Sequence, residues 1–265
     1  MNKRFFAILI VALLFVCNSA LAWSGLTHNA ICHIADQHLT EEAKAKRNHY
    51  LRHTLAYYAS WQDEVAWSKE YAETRFWHSV QYDAKNRFQY RDGRNAITHI
   101  SRIWNDMRNG GYKRLDDSTI IVNLKLLVHM VGDMHCPSHC MYDADPNPQF
   151  KRFSIFYKGK KVHWHKFWDS SASTYFHKGW TCQDYQKNLD KLSPKQIAKI
   201  CKGTPEQWAK QNAKDMREPY LLLVPHTELC EMPAENIARM TEIVDLQIQR
   251  GAYRLAHVIN DIFKE

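Results

Sequence analysis

The chain has 265 residues, of which 45% are hydrophobic and 12% aromatic, with 36 Lys and Arg against 28 Asp and Glu. This composition excludes a disordered or low-complexity chain, and the length suits one large domain or two small ones. The formal charge of +8 favours an anionic partner only weakly, because the basic residues gather into no tail or stripe.

The first 22 residues read as a signal peptide. Lys3 and Arg4 give a positive start, Phe5 to Val16 an apolar run, and Ala20-Leu21-Ala22 an A-x-A cleavage signal. Cys17 follows Val16, not a small residue, which argues against lipid attachment. Cleavage after Ala22 makes Trp23 the new N-terminus and leaves 34 basic against 28 acidic residues, a net charge of +6. No later stretch is long and apolar enough to span a bilayer. The expected product is exported, periplasmic or extracellular, with no membrane anchor after processing. Six cysteines remain (Cys32, Cys136, Cys140, Cys182, Cys201 and Cys230), and an even count in an exported protein predicts disulfides. Cys182 to Cys201 is a plausible local bridge. Cys136 and Cys140 are open to pairing with each other or to acting as thiolate ligands.

From Trp23 onward helical patterns dominate. Asn29 to Leu39 carries Ala30, Ile31, Ile34, Ala35 and Leu39 at helical spacing. Thr40-Glu41-Glu42-Ala43 reads as a helix start. Leu55 to Val65 is short and apolar around Trp61, and Thr74 to Tyr90 alternates enough to hold an extended piece. Asn95 to Arg108 predicts a helix with Ile97, Ile100, Ile103, Trp104 and Met107 on one side, stopped by Gly110-Gly111. Asp117-Ser118 is the expected cap of the next helix, an apolar run through Leu124, Leu127, Val128 and Val131 that ends before Pro137. Tyr142 to Val162 is irregular, with a turn at Asp145-Pro146-Asn147-Pro148 and then a small hairpin. Trp164 to Tyr175 returns to helix. Ser193-Pro194 and Thr204-Pro205 mark two further helix starts. Pro233 to Phe263 is one long helical pattern with a break expected near Gly251. Without repeats or linkers, a single mainly-α domain over residues 23–265 fits best, with at most a small hairpin.

Chemistry concentrates in paired histidines and aspartates. His129 and Asp133 are four residues apart, as are His165 and Asp169, so each pair shares a helix face and both members can grip one ion. His139 stands between the pairs. Asp63 and His78 sit among apolar and aromatic residues, and His28 follows Trp23 closely. Alone, each has an ordinary explanation as a surface pair, a core histidine or a cap. Together they point to metal, because buried carboxylates need partners. His163 rivals His165, and the four-residue step to Asp169 favours His165. His135 lies beside the helix end and is a similar rival.

These residues lie in motifs that resemble the zinc-dependent S1/P1 nuclease family. The likeness runs through Trp23-Ser24-Gly25-Leu26-Thr27-His28, Ala59-Ser60-Trp61-Gln62-Asp63-Glu64, Trp77-His78, the stretch from Leu127 to His139, His165 to Asp169, and Gln249-Arg250-Gly251-Ala252-Tyr253-Arg254-Leu255-Ala256. It covers essentially the whole processed chain in order. The resemblance implies a phospholipase C/P1 nuclease-like helical fold and three Zn2+ ions. Carried over by position, Asp63, His78, His129 and Asp133 hold one zinc. His139, His165 and Asp169 hold a second. The α-amine and carbonyl oxygen of Trp23, with His28 and Asp133, hold the third. Asp63 and Asp133 are the catalytic carboxylates, and Asp133 joins two ions. The implied activity is hydrolysis of single-stranded DNA and RNA to 5′-phosphate products, with 3′-nucleotides as a further substrate, by a metal-activated hydroxide. The related zinc phospholipase C family is the alternative reading. Nothing in the sequence calls for a protein partner.

The chain departs from the family's pattern where a base is contacted. Ser79 and Gln81 stand where members carry an aromatic residue and an aspartate, and Ala66 replaces a frequent basic residue. Ala144-Asp145-Pro146-Asn147 replaces a glycine-rich turn. The ligand positions are intact, so an altered or broad base preference is the expectation.

Overall fold

A computed structural model describes residues 23, 25–82, 87–142, 154–222 and 228–264. The expected signal peptide and the turn at 145–148 lie outside these residues, as does the replaced glycine-rich turn. The described chain is mainly α, as expected, and its elements start where local chemistry favours them.

Helix α1 (Gly25–Gln37) buries Ile31, Ile34 and Ala35. Helix α2 (Glu41–Leu51) begins at Thr40, whose Oγ1 accepts a hydrogen bond from the Ala43 N–H at 3.2 Å. The apolar 55–65 stretch divides into a 3-10 turn, Leu55–Tyr58, and the short helix α3 (Trp61–Val65). A further 3-10 turn, Ala72–Phe76, leads to strand β1 (Val80–Tyr82), the extended piece expected there. Helix α4 (Ala96–Met107) is capped by Asn95, which accepts from the Thr98 N–H at 2.9 Å. Gly110 then adopts a left-handed φ of +75°, which favours glycine.

Helix α5 (Asp117–Asp133) is capped by Asp116, one residue earlier than expected, which accepts from the Thr119 N–H at 2.9 Å. Its apolar spacing buries it on every side in its last two turns, from Leu126 to Asp133. A 3-10 turn at Pro137–His139 follows, then strand β2 (Cys140–Tyr142). β2 pairs parallel with β1, Val80 opposite Cys140, a contact no local pattern announces. Strands β3 (Ser154–Tyr157) and β4 (Lys160–His163) form the expected hairpin. Its two turn residues, Lys158 and Gly159, have φ of 54° and 67°, as a tight primed turn requires.

The 164–175 stretch breaks at Ser171 into α6 (Trp164–Ser170) and α7 (Ala172–Phe176). Helices α8 (Cys182–Leu189) and α9 (Pro194–Cys201) each start with a capping box, Thr181/Asp184 and Ser193/Gln196. Helix α10 (Pro205–Leu222) starts at the second expected Thr-Pro boundary. Helix α11 (Ala234–Phe263) runs unbroken for 30 residues, so the break expected near Gly251 does not occur. Gly251 instead serves close packing. A Cβ there would lie 3.3 Å from Ile31 Cδ1 and 3.4 Å from His135 Cγ, so the bare backbone lets α1 and the end of α5 approach α11.

The core centres on α5 and α11, with α1, α4 and α10 around them. The six described cysteines are free thiols, and the local Cys182–Cys201 bridge is not formed. The Cys201 thiol donates to the Tyr253 carbonyl at 3.3 Å. Among the described residues no helix is long and apolar enough to cross a membrane.

Leu127 is fully buried in α5, and its truncation leaves a cavity beside the helix that carries His129 and Asp133. Leu127→Ala should cost about 2–5 kcal/mol of folding stability, read as a shift in the denaturant midpoint at unchanged slope.

Candidate metal centre

Six segments converge at the C-terminal end of α5. α5 itself supplies His129 and Asp133 one turn apart. α1 supplies His28, α3 supplies Asp63, and the turn before β1 leads into His78. The Pro137–His139 turn supplies His139, and α6 supplies His165 and Asp169. The parallel pairing of β1 with β2 brings His78 and His139 together: the His139 Nδ1–H donates to the His78 carbonyl at 3.0 Å.

Asp133 is the centre. It is fully buried, and four imidazoles face its carboxylate. His28 Nε2 lies 3.0 Å from Oδ1; His78 Nδ1, His129 Nε2 and His139 Nδ1 lie 2.7, 3.1 and 3.5 Å from Oδ2. Asp63 joins the same cluster, 3.5 Å from His129 Nε2 and 3.6 Å from His78 Nδ1. On the far side of His139, its Nε2 is 3.1 Å from His165 Nε2 and 3.7 Å from Asp169 Oδ1, and His165 Nε2 is 3.0 Å from Asp169 Oδ2. Every sequence-identified side-chain position is therefore drawn into one continuous array. Trp23 is anchored by its indole, which is fully buried in the hydrophobic core just ahead of α1.

Two anchors fix which nitrogens face inward. The His129 Nδ1–H donates to the Ala59 carbonyl at 2.7 Å, and the His139 Nδ1–H donates to His78 O. In the neutral rings both Nε2 atoms then present bare lone pairs to carboxylates and to other imidazoles. Lone pair facing lone pair at these distances is repulsive unless a cation lies between. Donor atoms on one tetrahedral zinc sit roughly 3.3–3.8 Å apart, given bonds of about 2.0–2.3 Å. The 3.7 Å from His139 to Asp169 and the 3.5 and 3.6 Å from Asp63 to His129 and His78 fall on that scale, while the His139–His165, His165–Asp169 and His78–His129 spacings of 3.1, 3.0 and 3.1 Å lie just under it. The donor set therefore fits a metal. Four groups of three or more ligand atoms lie within 4.8 Å of one another: His28/His129/Asp133, Asp63/His78/His129, His78/Asp133/His139 and Cys136/His139/Asp169.

Without a metal, the same groups compensate one another by protonation. Burial alone would raise the Asp133 carboxyl, but His139 and His129 outweigh it and hold Asp133 well below the usual carboxylate range. Burial opposes charge on His129 as well, yet Asp133 and Asp63 hold it well above the usual histidine range. His139 is pulled down by burial and pushed up further by Asp133 and Asp169, to about 9. His28 goes the other way, lowered by burial and by the neighbouring His129, on which its ring stacks at 4.5 Å. Gly132 makes that stack possible, since a Cβ there would lie 2.6 Å from His28 Nδ1.

His135 is not part of the array. Its Nδ1–H donates to the Val131 carbonyl at 2.7 Å, and its Nε2 accepts from Arg254 at 2.9 Å. His163 immediately precedes α6 and is exposed. Two neighbours of the array were beyond sequence reasoning: Ala59, acting through its carbonyl, and Ser138, whose hydroxyl donates toward Asp169 Oδ1 at 3.5 Å. Backbone acceptors leave no side-chain signal. Of the substituted base-contact positions, Ala66 and Gln81 are buried.

Residues 23–264 match the family described as S1/P1 Nuclease. The chain is similar to two proteins of Arabidopsis thaliana. It is 25% identical to Endonuclease 4 over 291 residues, covering 98% of this chain and 95% of the relative. It is likewise 25% identical to Endonuclease 3 over 294 residues, covering 99% and 96%.

In metal-free protein the His139 imidazole should titrate near pH 9, against about 6.5 for an ordinary histidine. Asp133→Asn or Asp169→Asn should lower that midpoint. Imidazole NMR across pH reads it directly, and an unshifted midpoint would mean that the carboxylates do not face this ring.

Proposed function

The chain belongs to the S1/P1 nuclease family, and from that premise we propose that it is a zinc-dependent endonuclease. Its proposed substrates are single-stranded DNA and RNA, cleaved to 5′-phosphate ends, with 3′-nucleotides as a further class. The observation that carries the reading is the buried Asp133 carboxylate ringed by four imidazoles, two of them with lone pairs fixed inward. The names of the two plant relatives, both endonucleases, support a hydrolase acting on phosphodiester bonds.

Asp63, His78, His129 and Asp133 are assigned to one zinc, and His139, His165 and Asp169 to a second. His28, Asp133 and the α-amine and carbonyl oxygen of Trp23 are assigned to the third. Bound there, zinc supplies a hydroxide nucleophile near neutral pH and positive charge for the phosphate oxygens. The chain's own residues do the rest. Asp133 can serve two ions because Oδ1 faces His28 while Oδ2 faces His78 and His129. The Ala59 carbonyl sets the His129 ring so that its donor direction is fixed before a metal arrives. Asp63 and Asp133 bring the negative charge that concentrates cations at this point. His165, with 54% of its side chain exposed, forms the open rim, so a phosphodiester approaches over α6.

The α-amine assignment gives the signal peptide a chemical purpose. Only cleavage before Trp23 frees the amine, and the third ligand set is incomplete in the precursor. Single-strand preference has support from exposed aromatic faces beside the ligand-bearing segments. Trp67, 77% exposed, follows α3. Phe76 lies two residues before His78, with Arg75 and Arg94 at 4.9 and 4.7 Å from its ring. Such rings stack unpaired bases while the cations meet phosphates. With Gln81 buried and Ser79 short, base preference is expected to be broad.

Purified processed protein should cleave single-stranded RNA and not phosphatidylcholine, and a chelator should abolish the cleavage. Hydrolysis of the lipid alone would favour the phospholipase reading, and no chelator-sensitive hydrolysis of either would sink both. Mass spectrometry of the native protein should count three zincs. A variant that keeps one extra residue before Trp23 should lose one zinc and most activity; an unchanged metal count would remove the amine from the ligand set.

A further inference from the structure

Cys136 has no part in the assignment above, yet its sulfur lies in the array. Its Sγ is within 4.8 Å of ligand atoms of both His139 and Asp169, and the residue is fully buried. A disulfide to Cys140 is the obvious competing role, and the side chains argue against it. The Cys140 thiol turns to the Met134 carbonyl at 3.5 Å, whereas Cys136 Sγ contacts Ser138 Oγ at 3.1 Å. Both are free thiols. The second competing role is a relay, in which the thiol bonds Ser138 and the Ser138 hydroxyl steadies Asp169 at 3.5 Å. A relay needs only a short hydrogen-bonding side chain. It does not explain a soft sulfur donor placed within 4.8 Å of ligand atoms of both a buried imidazole and a carboxylate.

We infer that Cys136 supplies a thiolate to the ion held by His139, His165 and Asp169, which gives that ion four protein ligands. The inference rests on the zinc reading proposed above. The thiol proton leaves as the metal binds, as it does for coordinating cysteines generally. Thiolate, imidazole and carboxylate are each ordinary zinc ligands, and four of them complete a tetrahedral set.

Cobalt(II) is the probe, since it reports thiolate ligation by a charge-transfer band in the near ultraviolet and its own presence by weaker visible bands. Chelator-stripped protein reloaded with cobalt should show both. Cys136→Ser, which keeps the relay but not the sulfur, should lose the charge-transfer band while retaining the visible bands. Cys140→Ser should keep both. Visible bands without charge transfer in the wild type, or a band that survives Cys136→Ser, would overturn the thiolate and leave the zinc reading standing. Failure to take up cobalt at all would overturn both. If Cys136→Ser does not fold, zinc-edge X-ray absorption of the wild-type holoprotein decides, by the presence or absence of a sulfur shell near ~2.3 Å. A Cys136–Cys140 disulfide in the metal-loaded protein would also overturn the inference.

Discussion

The structure turns on one carboxylate. Asp133 is buried, and among the described residues the groups that face it are His28, His78, His129 and His139, with no lysine or arginine. An uncompensated carboxylate in such a place costs several kcal/mol. A neutral imidazole such as His28 offers one N–H to it, and full charge compensation comes from protonated rings or from a cation the rings help to hold. The first route supplies positive charge ring by ring, which crowds like charges: His28 and His129 stack at 4.5 Å, and His129 drives the His28 pKa down. The second supplies concentrated positive charge and leaves every ring neutral. That asymmetry makes the cluster a poor salt-bridge network and a good metal site.

Holding so many polar groups together requires a rigid surround. The backbone between Asp133 and Pro137 is clamped from the opposite face by the C-terminal helices. Asn212 on α10 donates to the Met134 carbonyl at 3.0 Å, and Arg254 on α11 donates to Asn212 at 3.1 Å and to His135 at 2.9 Å. The Arg254 guanidinium lies over the Trp208 ring at 5.2 Å and also donates to the Ile200 carbonyl. Gly251 permits this approach by leaving room for His135. The 249–256 motif therefore belongs to the site's foundation: through His135 and Asn212 it fixes the turn between Asp133 and His139.

Much of this was legible before the fold was known, for definite reasons. The His129/Asp133 and His165/Asp169 pairs are helical neighbours, and helix periodicity is local. The cap at Thr40 and the starts at Pro194 and Pro205 were readable because they depend on residues within one turn. What escaped was non-local or carried by backbone. The parallel pairing of β1 and β2 joins Val80 to Cys140 with no sequence signature, yet it is what sets His78 against His139. The anchor for His129 is the Ala59 carbonyl, which any residue would offer. Gly251 misled because glycine marks a helix break as often as a close contact, and only the packing of Ile31 and His135 tells the two apart. The disulfide expectation followed from an even cysteine count, and a count carries no geometry.

The exposure gradient across the array gives it a direction. His28, His129, Asp133 and His139 form a floor that solvent barely reaches, Asp63 and His78 are slightly open, and His165 is half exposed. Among the described residues of the array, the His165 and His78 side is the one open to solvent. The segments that border His78 and Asp63 also carry exposed Tyr57, Trp67 and Phe76, along with Arg75, whose guanidinium lies over Phe76. Deep in α5's last turns, ligands are held by packing that tolerates little change. At the rim, residues such as Ser79 can vary without disturbing the floor. The departures at Ser79, Gln81 and Ala66 fall in segments beside Asp63 and His78, while the candidate ligand positions are kept. Burial thus sets the ligand floor around Asp133 apart from the more variable 66–82 segment, in which Ala66 and Gln81 are themselves buried.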